Sequence, residues 1–301
     1  MNTSFKQPFV SVIIPVYNGG FAFEKTIESL LDQSYPKDCY EIIVVDNNST
    51  DTTRDIVKKY PVVLLQEIHR QNSYAARNRG IKHAKGSIIA FIDSDCIADR
   101  DWIMRGVECL EVKKVDSVGG AILFTFSKKP SVAELTDSLI NLDNEYSINK
   151  NGLAKTANLF TYKKNFDDIG LFNTRYTSGG DGQWTAHARN HGKTIAFCSQ
   201  SVVYHPARKF SELIKKHIRV GGGSSAVWKV QGRGLFWRIM ICGYLLLPLF
   251  PFKIIGFMRK KKISTQHSIV SLMIVAYLCK LATLYGIIKN TLWKLFFSPA
   301  L

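Results

Sequence analysis

Apolar residues along this chain fall into two patterns. Some are short β-branched runs, and others recur every three or four positions. Val10-Ser11-Val12-Ile13-Ile14-Pro15-Val16-Tyr17-Asn18, Glu41-Ile42-Ile43-Val44-Val45-Asp46 and Ser87-Ile88-Ile89-Ala90-Phe91-Ile92 are of the first kind. Runs this short and this continuous predict strands buried on both faces. The first is expected to stop at Pro15, because proline cannot donate to a sheet ladder. Between the runs, Phe23 to Gln33 sets Ile27, Leu30 and Leu31 at helical spacing. Asp51 to Tyr60 reads as a short charged helix, with N-cap residue types in Asn47-Asn48-Ser49-Thr50 before it, and Ser73 to Lys85 as an Ala-rich basic one. Strand, helix and strand in repetition predict an α/β fold with a parallel sheet and right-handed crossovers.

Each apolar run ends in polar residues. Ligands of such sheets bind beyond the carboxyl ends of the strands. There the sequence sets Pro15 to Tyr17, Asp46, and the pair Asp93 and Asp95 one residue apart in Phe91-Ile92-Asp93-Ser94-Asp95. Two carboxylates at a strand end suit a hard divalent cation joining them to a substrate's phosphates. Other phosphate and catalytic motifs fail. Gly192-Lys193-Thr194 has His187 where a P-loop needs its first glycine, and the calcium-loop pattern lacks its glycine and final glutamate. There is no GxGxxG after the first strand and no GxSxG elbow.

Ser11-Val12-Ile13-Ile14-Pro15-Val16-Tyr17-Asn18, Val44-Val45-Asp46-Asn47-Asn48-Ser49-Thr50-Asp51, Ala76-Arg77-Asn78-Arg79-Gly80-Ile81 and Phe91-Ile92-Asp93-Ser94-Asp95, in that order and spacing, resemble a family 2 glycosyltransferase. A weaker match runs through Ile169-Gly170-Leu171-Phe172 and Gly179-Gly180-Asp181. The resemblance implies a GT-A domain over residues 1–206. Its sheet would be Rossmann-like, mixed and mostly parallel, and flanked by helices. It also implies roles. Asp46 would contact the nucleotide base, and Pro15, Val16, Tyr17 and Asn18 would line the nucleotide. Asp93 and Ser94 would face the ribose, Asp95 would hold Mn²⁺ or Mg²⁺, and Arg77 would contact nucleotide or phosphate. His205, at a strand end, would add a metal or diphosphate contact. Asp181 would be the general base of an inverting transfer. The family's acidic pair reads Gly180-Asp181 here, so the first carboxylate's contact with the acceptor is missing.

Composition then narrows the setting. The chain has 301 residues, 46% of them hydrophobic, enough for one large domain and an appendage. Its six cysteines, Cys39, Cys96, Cys109, Cys198, Cys242 and Cys279, show no CxxC spacing and read as reduced thiols of a cytosolic domain. Met1 to Pro8 is polar and precedes a strand, so no signal peptide is expected.

The net charge of +16 gathers toward the C-terminus. Arg208, Lys209, Lys215, Lys216, Arg219, Lys229, Arg233, Arg238, Lys253 and Arg259-Lys260-Lys261-Lys262 alternate with apolar residues, a pattern suited to an anionic membrane surface. No nucleic-acid motif accompanies the charge, so no nucleic-acid partner is expected. Gly234 to Met258 and Ser268 to Ile288 approach transmembrane length, but two full spans would put the lysines between them on the side away from the nucleotide-sugar supply. An interfacial or re-entrant hairpin over residues 207–301 on the cytoplasmic face is the expected form. A two-span hairpin, or a helix pair forming a homo-oligomer, are its alternatives.

Ser131 and Glu134 form a capping box that starts a helix, and that helix with the loop from Tyr146 to Phe160 is expected on the acceptor side. Gly221-Gly222-Gly223-Ser224-Ser225 reads either as a hinge or lid, or as a close-packing point. With these features, the resemblance implies a metal-dependent enzyme moving one sugar from a nucleoside diphosphate donor, UDP favoured over GDP, to a hydroxyl of a lipid-linked or polysaccharide acceptor. The processive-synthase Gln-x-x-Arg-Trp is absent, and Gln183-Trp184 does not restore it. A catalytically silent sugar-nucleotide binding protein of the same fold is the alternative, and Gly180 is the feature that favours it. A nucleotidyltransferase is disfavoured, since Tyr17-Asn18-Gly19-Gly20-Phe21 lacks a basic residue.

Overall fold

The computed structural model describes residues 7–230, 232, 234–248, 251–261 and 265–297. Among them the strands are β1 (Val10–Val16), β2 (Tyr40–Asp46), β3 (Val63–Gln66), β4 (Ile88–Ile92), β5 (Ile97–Ala98), β6 (Ser117–Thr125), β7 (Asn158–Tyr162) and β8 (Ile195–Pro206). The helices are α1 (Ala22–Leu31), α2 (Thr53–Val57), α3 (Ser73–His83), α4 (Trp102–Lys113), α5 (Val132–Ile140), α6 (Asn144–Asn151), α7 (Lys164–Ile169), α8 (Gly180–Asn190), α9 (Phe210–Val230), α10 (Leu235–Leu246), α11 (Pro251–Lys261) and α12 (Ile269–Phe297).

The strands form one mixed sheet in the order β3-β2-β1-β4-β7-β6-β8-β5. The first four run parallel, the three apolar runs as the sequence predicts and β3 in addition, whereas β7 joins β4 antiparallel and β6 joins β7 antiparallel. Every residue of β1 and β4 is buried, the signature of strands covered on both faces. Helix α1 covers one face with Phe23, Ile27 and Leu30, each fully buried and each contributing roughly 1.5–3 kcal/mol by leaving water. On the antiparallel side the fully buried Asn158 ties three elements together. Its Oδ1 accepts from Trp102 Nε1 at 2.9 Å, and its Nδ2 donates to Ala121 O and Ser201 O at 2.8 and 2.9 Å.

Three expectations are corrected. Strand β1 runs through Pro15 to Val16, because its ladder with β4 ends at Ile13 opposite Phe91 and no β4 residue needs the N–H that Pro15 lacks. The Tyr146 to Phe160 stretch is not a loop: Asp143 caps α6 by accepting from Tyr146 N at 2.8 Å, Gly152 ends it at φ +61°, and β7 follows. Cys109 of α4 and Cys198 of β8 are joined in a disulfide across 89 residues, their Cα atoms 6.2 Å apart. The sheet topology brings those two elements together, and no local spacing signals it. The cysteines therefore no longer argue for a reducing compartment.

The chain divides into two compact units. One comprises Met1–Leu123, Asp143–Thr174 and Asp181–His205, and the other Phe124–Leu142, Arg175–Gly180 and Pro206–Leu301. In the second unit α5 starts with the expected capping box. Its Asp137, fully buried, accepts from Arg208 N at 2.9 Å and Asn141 Nδ2 at 2.7 Å and pairs with Arg208 and Lys216 at 3.3 and 3.5 Å. Burial pushes the Lys216 ammonium down to about 7.

The glycine run at Gly221 to Gly223 is continuous helix within α9 and not a hinge. A Cβ on Gly221 would meet Thr283 O of α12 at 2.0 Å, and one on Gly286 would meet Ile218 O at 2.1 Å. Asn290 Nδ2 closes the contact by donating to Gly222 O at 2.7 Å. These glycines let α9 and α12 approach backbone to backbone. The segment from Gly234 to Met258 is two short helices, α10 and α11, whereas Ile269–Thr291 of α12 is long and apolar enough to cross a membrane, with 39% of that window buried. Lys262 and Arg233 lie outside the described residues, as do the side chains of Lys229, Lys253, Lys260 and Lys261.

Candidate active site

The turns after β1 and β2 are stitched to each other. Asn18 stands at φ +50°, a left-handed conformation that asparagine tolerates, and its N–H donates to Ser49 Oγ at 2.9 Å. Its side-chain oxygen accepts from Thr50 N at 2.9 Å. Thr53 Oγ1 accepts from Gly19 N and Gly20 N at 2.9 and 3.2 Å. The Asn47 to Thr50 segment thus links the two turns and does not cap α2, whose first residue is Thr53. Tyr17 projects from this platform, half exposed.

Asp46 ends β2 and is buried. Its carboxylate accepts from Ser49 N at 3.2 Å, and Arg54 Nε stands 3.8 Å away. Pro15 and Val16 lie opposite Val45 and Asp46 in the parallel ladder, so the Pro15-to-Asn18 turn and Asp46 share one sheet end.

Asp93 leaves the end of β4 and meets Arg77 of α3, with Nη2 and Oδ1 2.6 Å apart. Arg77 is buried, its guanidinium lies 5.7 Å from the Tyr74 ring, and its Nε has no hydrogen-bond acceptor among the described residues. Arg77 therefore orients Asp93 directly and keeps one buried donor in hand. Cys96 N donates to Asp93 O at 3.1 Å, closing the turn that presents Ser94 and Asp95. Ser94 O accepts from Thr26 Oγ1 at 2.9 Å.

Asp95 Oδ2 stands 3.3 Å from Nε2 of His205, which is fully buried on β8. One donor atom each from Asp95, Cys96 and His205 lies within 4.8 Å of the others. This oxygen, sulfur and nitrogen set fits a divalent transition ion. Sequence reasoning had weighed Cys96 only as a thiol. The signal it missed is that β5 pairs β8 antiparallel, which brings the residue after Asp95 to His205.

Asp181 lies in the first turn of α8, its Oδ1 accepting from Gly182 N at 2.9 Å. The helix is anchored by Trp184, which stacks on Phe166 at 4.7 Å, packs on Phe172 and donates to Gly170 O at 2.8 Å. Within this unit the structure brings together Asp46 with the β1 turn, Arg77 with Asp93, and Asp95 with His205. Asp181 lies in the first turn of α8, its carboxylate engaged with its own helix. Gly192-Lys193-Thr194 forms the turn into β8, where Lys193 pairs with Asp168 at 2.5 Å, so it is structural.

The profile described as glycosyl transferase family 2 matches residues 11–170. Glycosyltransferase AglE of Haloferax volcanii is 38% identical over 284 residues, covering 91% of this chain and 93% of that protein. A Methanococcus voltae dolichyl N-acetyl-α-D-glucosaminyl phosphate 3-β-D-2,3-diacetamido-2,3-dideoxy-β-D-glucuronosyltransferase is 22% identical over 94% of this chain and 97% of its own. Among solved structures, the mannosyltransferase PcManGT of Pyrobaculum calidifontis, in complex with GDP-Man and Mn²⁺, superposes with a TM-score of 0.66 at 21% identity, over 96% of this chain and 88% of that one. TarS 1-349 of S. aureus with UDP-GlcNAc gives 0.56 at 18% identity, over 95% and 92%. This chain belongs to glycosyl transferase family 2 and is a glycosyltransferase with a GT-A-like fold.

Proposed function

We propose that this glycosyltransferase moves one sugar, with inversion, from a nucleoside diphosphate donor to a hydroxyl of a lipid-linked or polysaccharide acceptor. The observation that carries the reading is the Asp95–His205 pair beside the Arg77–Asp93 pair at the carboxyl end of β4. In this reading the β1 turn and Asp46 receive the base, and Asp93, held by Arg77, faces the ribose beside Ser94. Asp95 and His205 hold Mn²⁺ or Mg²⁺. When bound, the ion supplies Lewis-acid neutralisation of the leaving diphosphate. Asp181 takes the proton from the acceptor hydroxyl as that oxygen attacks the anomeric carbon from the opposite face.

The donor is taken as a UDP-sugar. A UDP-GlcNAc complex of a similar fold supports this, and a GDP-Man complex of another makes GDP-sugars the control. A lipid-linked acceptor is supported by the dolichyl phosphate in the name of the Methanococcus voltae relative.

Residues 207–301 are proposed as the membrane-associating part on the cytoplasmic face, where nucleotide sugars are supplied. No Asp or Glu follows Glu212, while α10 exposes Phe236, Trp237, Ile239 and Met240. Phe236, Trp237, Met240, Ile241 and Tyr244 line a surface groove of about 500 Å³. Apolar side chains among cations, with no acid, suit an anionic headgroup layer. The test is nucleoside diphosphate release from a panel of UDP- and GDP-sugars with membrane extract as acceptor. Metal-dependent release from one donor supports the reading, and no release from any donor favours a silent binding protein.

A further inference from the structure

Strands β5 and β8 pair antiparallel with Ile97 opposite Tyr204 and Ala98 opposite Val203. Extending that register by one residue sets Cys96 opposite His205, and directly opposed residues present their side chains on the same face. Both side chains are fully buried. Cys96 Sγ lies 3.8 Å from Asp95 Oδ1, and His205 Nε2 lies 3.3 Å from the other oxygen of that carboxylate. Sulfur, nitrogen and oxygen thus converge on one place, all within 4.8 Å. Donors about 2.0 and 2.3 Å from a common ion at a tetrahedral angle stand about 3.5 Å apart, so closing on one needs a movement of at most roughly 1.3 Å.

We propose that Cys96 is a third protein ligand of the ion held by Asp95 and His205, and that its sulfur biases the centre toward borderline-soft ions. The proposal rests on the metal-dependent reading above. An oxygen and nitrogen site already binds Co²⁺ and Zn²⁺ above Mn²⁺; a thiolate widens that gap and disfavours Mg²⁺, which prefers oxygen donors. On binding, the Cys96 thiol releases its proton to solvent and the thiolate takes one coordination position. As a core residue, Cys96 would only fill volume, a role independent of what stands opposite it. The register that pairs it with His205, the buried histidine beside Asp95, is what points to ligation. Cys109 and Cys198 are sequestered in their disulfide and cannot substitute.

The test is titration of the metal-free full chain in detergent with Co²⁺ alone, read by near-ultraviolet thiolate-to-cobalt charge-transfer absorption. The parent should show the band, saturating once a single ion is bound. Cys96→Ser and Cys96→Ala should lose it, and their preference for Zn²⁺ over Mn²⁺ should fall at least about tenfold. A parent without the band at saturating Co²⁺, or a band persisting in both variants, overturns the proposal. Far-ultraviolet circular dichroism matching the parent shows that the variants fold. Metal-dependent nucleoside diphosphate release without the cobalt band removes only the Cys96 assignment, whereas the band without release from any donor removes the proposed metal-assisted transfer from UDP- or GDP-sugars and leaves the centre intact.

Discussion

His205 Nε2 lies 3.3 Å from Asp95 Oδ2, with the imidazole fully buried and the carboxylate half exposed. A buried ring holding an exposed acid at a strand end is arranged to offer both groups to a third body. Truncating either should weaken Mn²⁺ binding by at least about tenfold, read by calorimetric titration of His205→Ala and Asp95→Ala. Unchanged affinity in both variants would remove these residues from the metal site.

Arg77 and Asp93 form the second pair, and here the cation is the more buried partner. Arg77→Ala should raise the donor KM and lower stability, because Asp93 loses its orienting partner. A double-mutant cycle with Asp93→Asn should give a coupling of about 1–3 kcal/mol in unfolding. Arg77→Lys keeps the charge but not the guanidinium fork, so it should recover only part of the loss. A coupling near zero would mean that the ion pair has no energetic role.

The contact between α9 and α12 gives a stability test. Gly221→Ala sets a Cβ at 2.0 Å from Thr283 O, a clash with backbone that no rotamer relieves. We expect a destabilisation of about 1–3 kcal/mol in thermal unfolding. Gly256→Ala, in α11 with nothing within 4 Å, is the control and should be neutral or stabilising by about 0.5–1 kcal/mol. Equal effects would show that the close approach is not needed.

Glu134 gives a pH dependence. Burial would push its carboxyl up, but hydrogen bonds from the backbone and hydroxyls of Ser131 and Ser127 overcome this and take it down to about 2. A depressed carboxyl favours the folded state above its ordinary value of about 4.3, and that contribution fades as pH falls through the folded value near 2. Glu134→Gln should therefore lower stability at neutral pH and flatten its loss between about pH 4.3 and 2. Parallel stability curves for parent and variant would contradict the role of the capping box.

β1, β2 and β4 were legible because each is a short, continuous apolar run, whereas β3 is four residues long and only partly buried and gave no such signal. Asp46, Asp93 and Asp95 were legible because those runs end on them. What escaped depends on long-range pairing. β7 interrupts the parallel order through its antiparallel ladders with β4 and β6, and the Cys109–Cys198 link and the nearness of Cys96 to His205 follow from strand register and helix placement. The Gly221 to Gly223 run shows the same limit. Glycines in a helix read locally as either a break or a close-packing point, and the partner helix α12 decides for the contact. Of the proposed roles, that of Asp181 rests most on resemblance, since its carboxylate engages its own helix.

The most direct test of the central claim compares nucleoside diphosphate release by the parent and Asp181→Asn, with a UDP-sugar and GDP-sugar panel, in Mn²⁺ and in chelator. Release should occur with one donor, stop in chelator, and fall by at least about a hundredfold in Asp181→Asn while donor binding is kept. Undiminished release by Asp181→Asn, or by the parent in chelator, would contradict metal-assisted transfer with Asp181 as base.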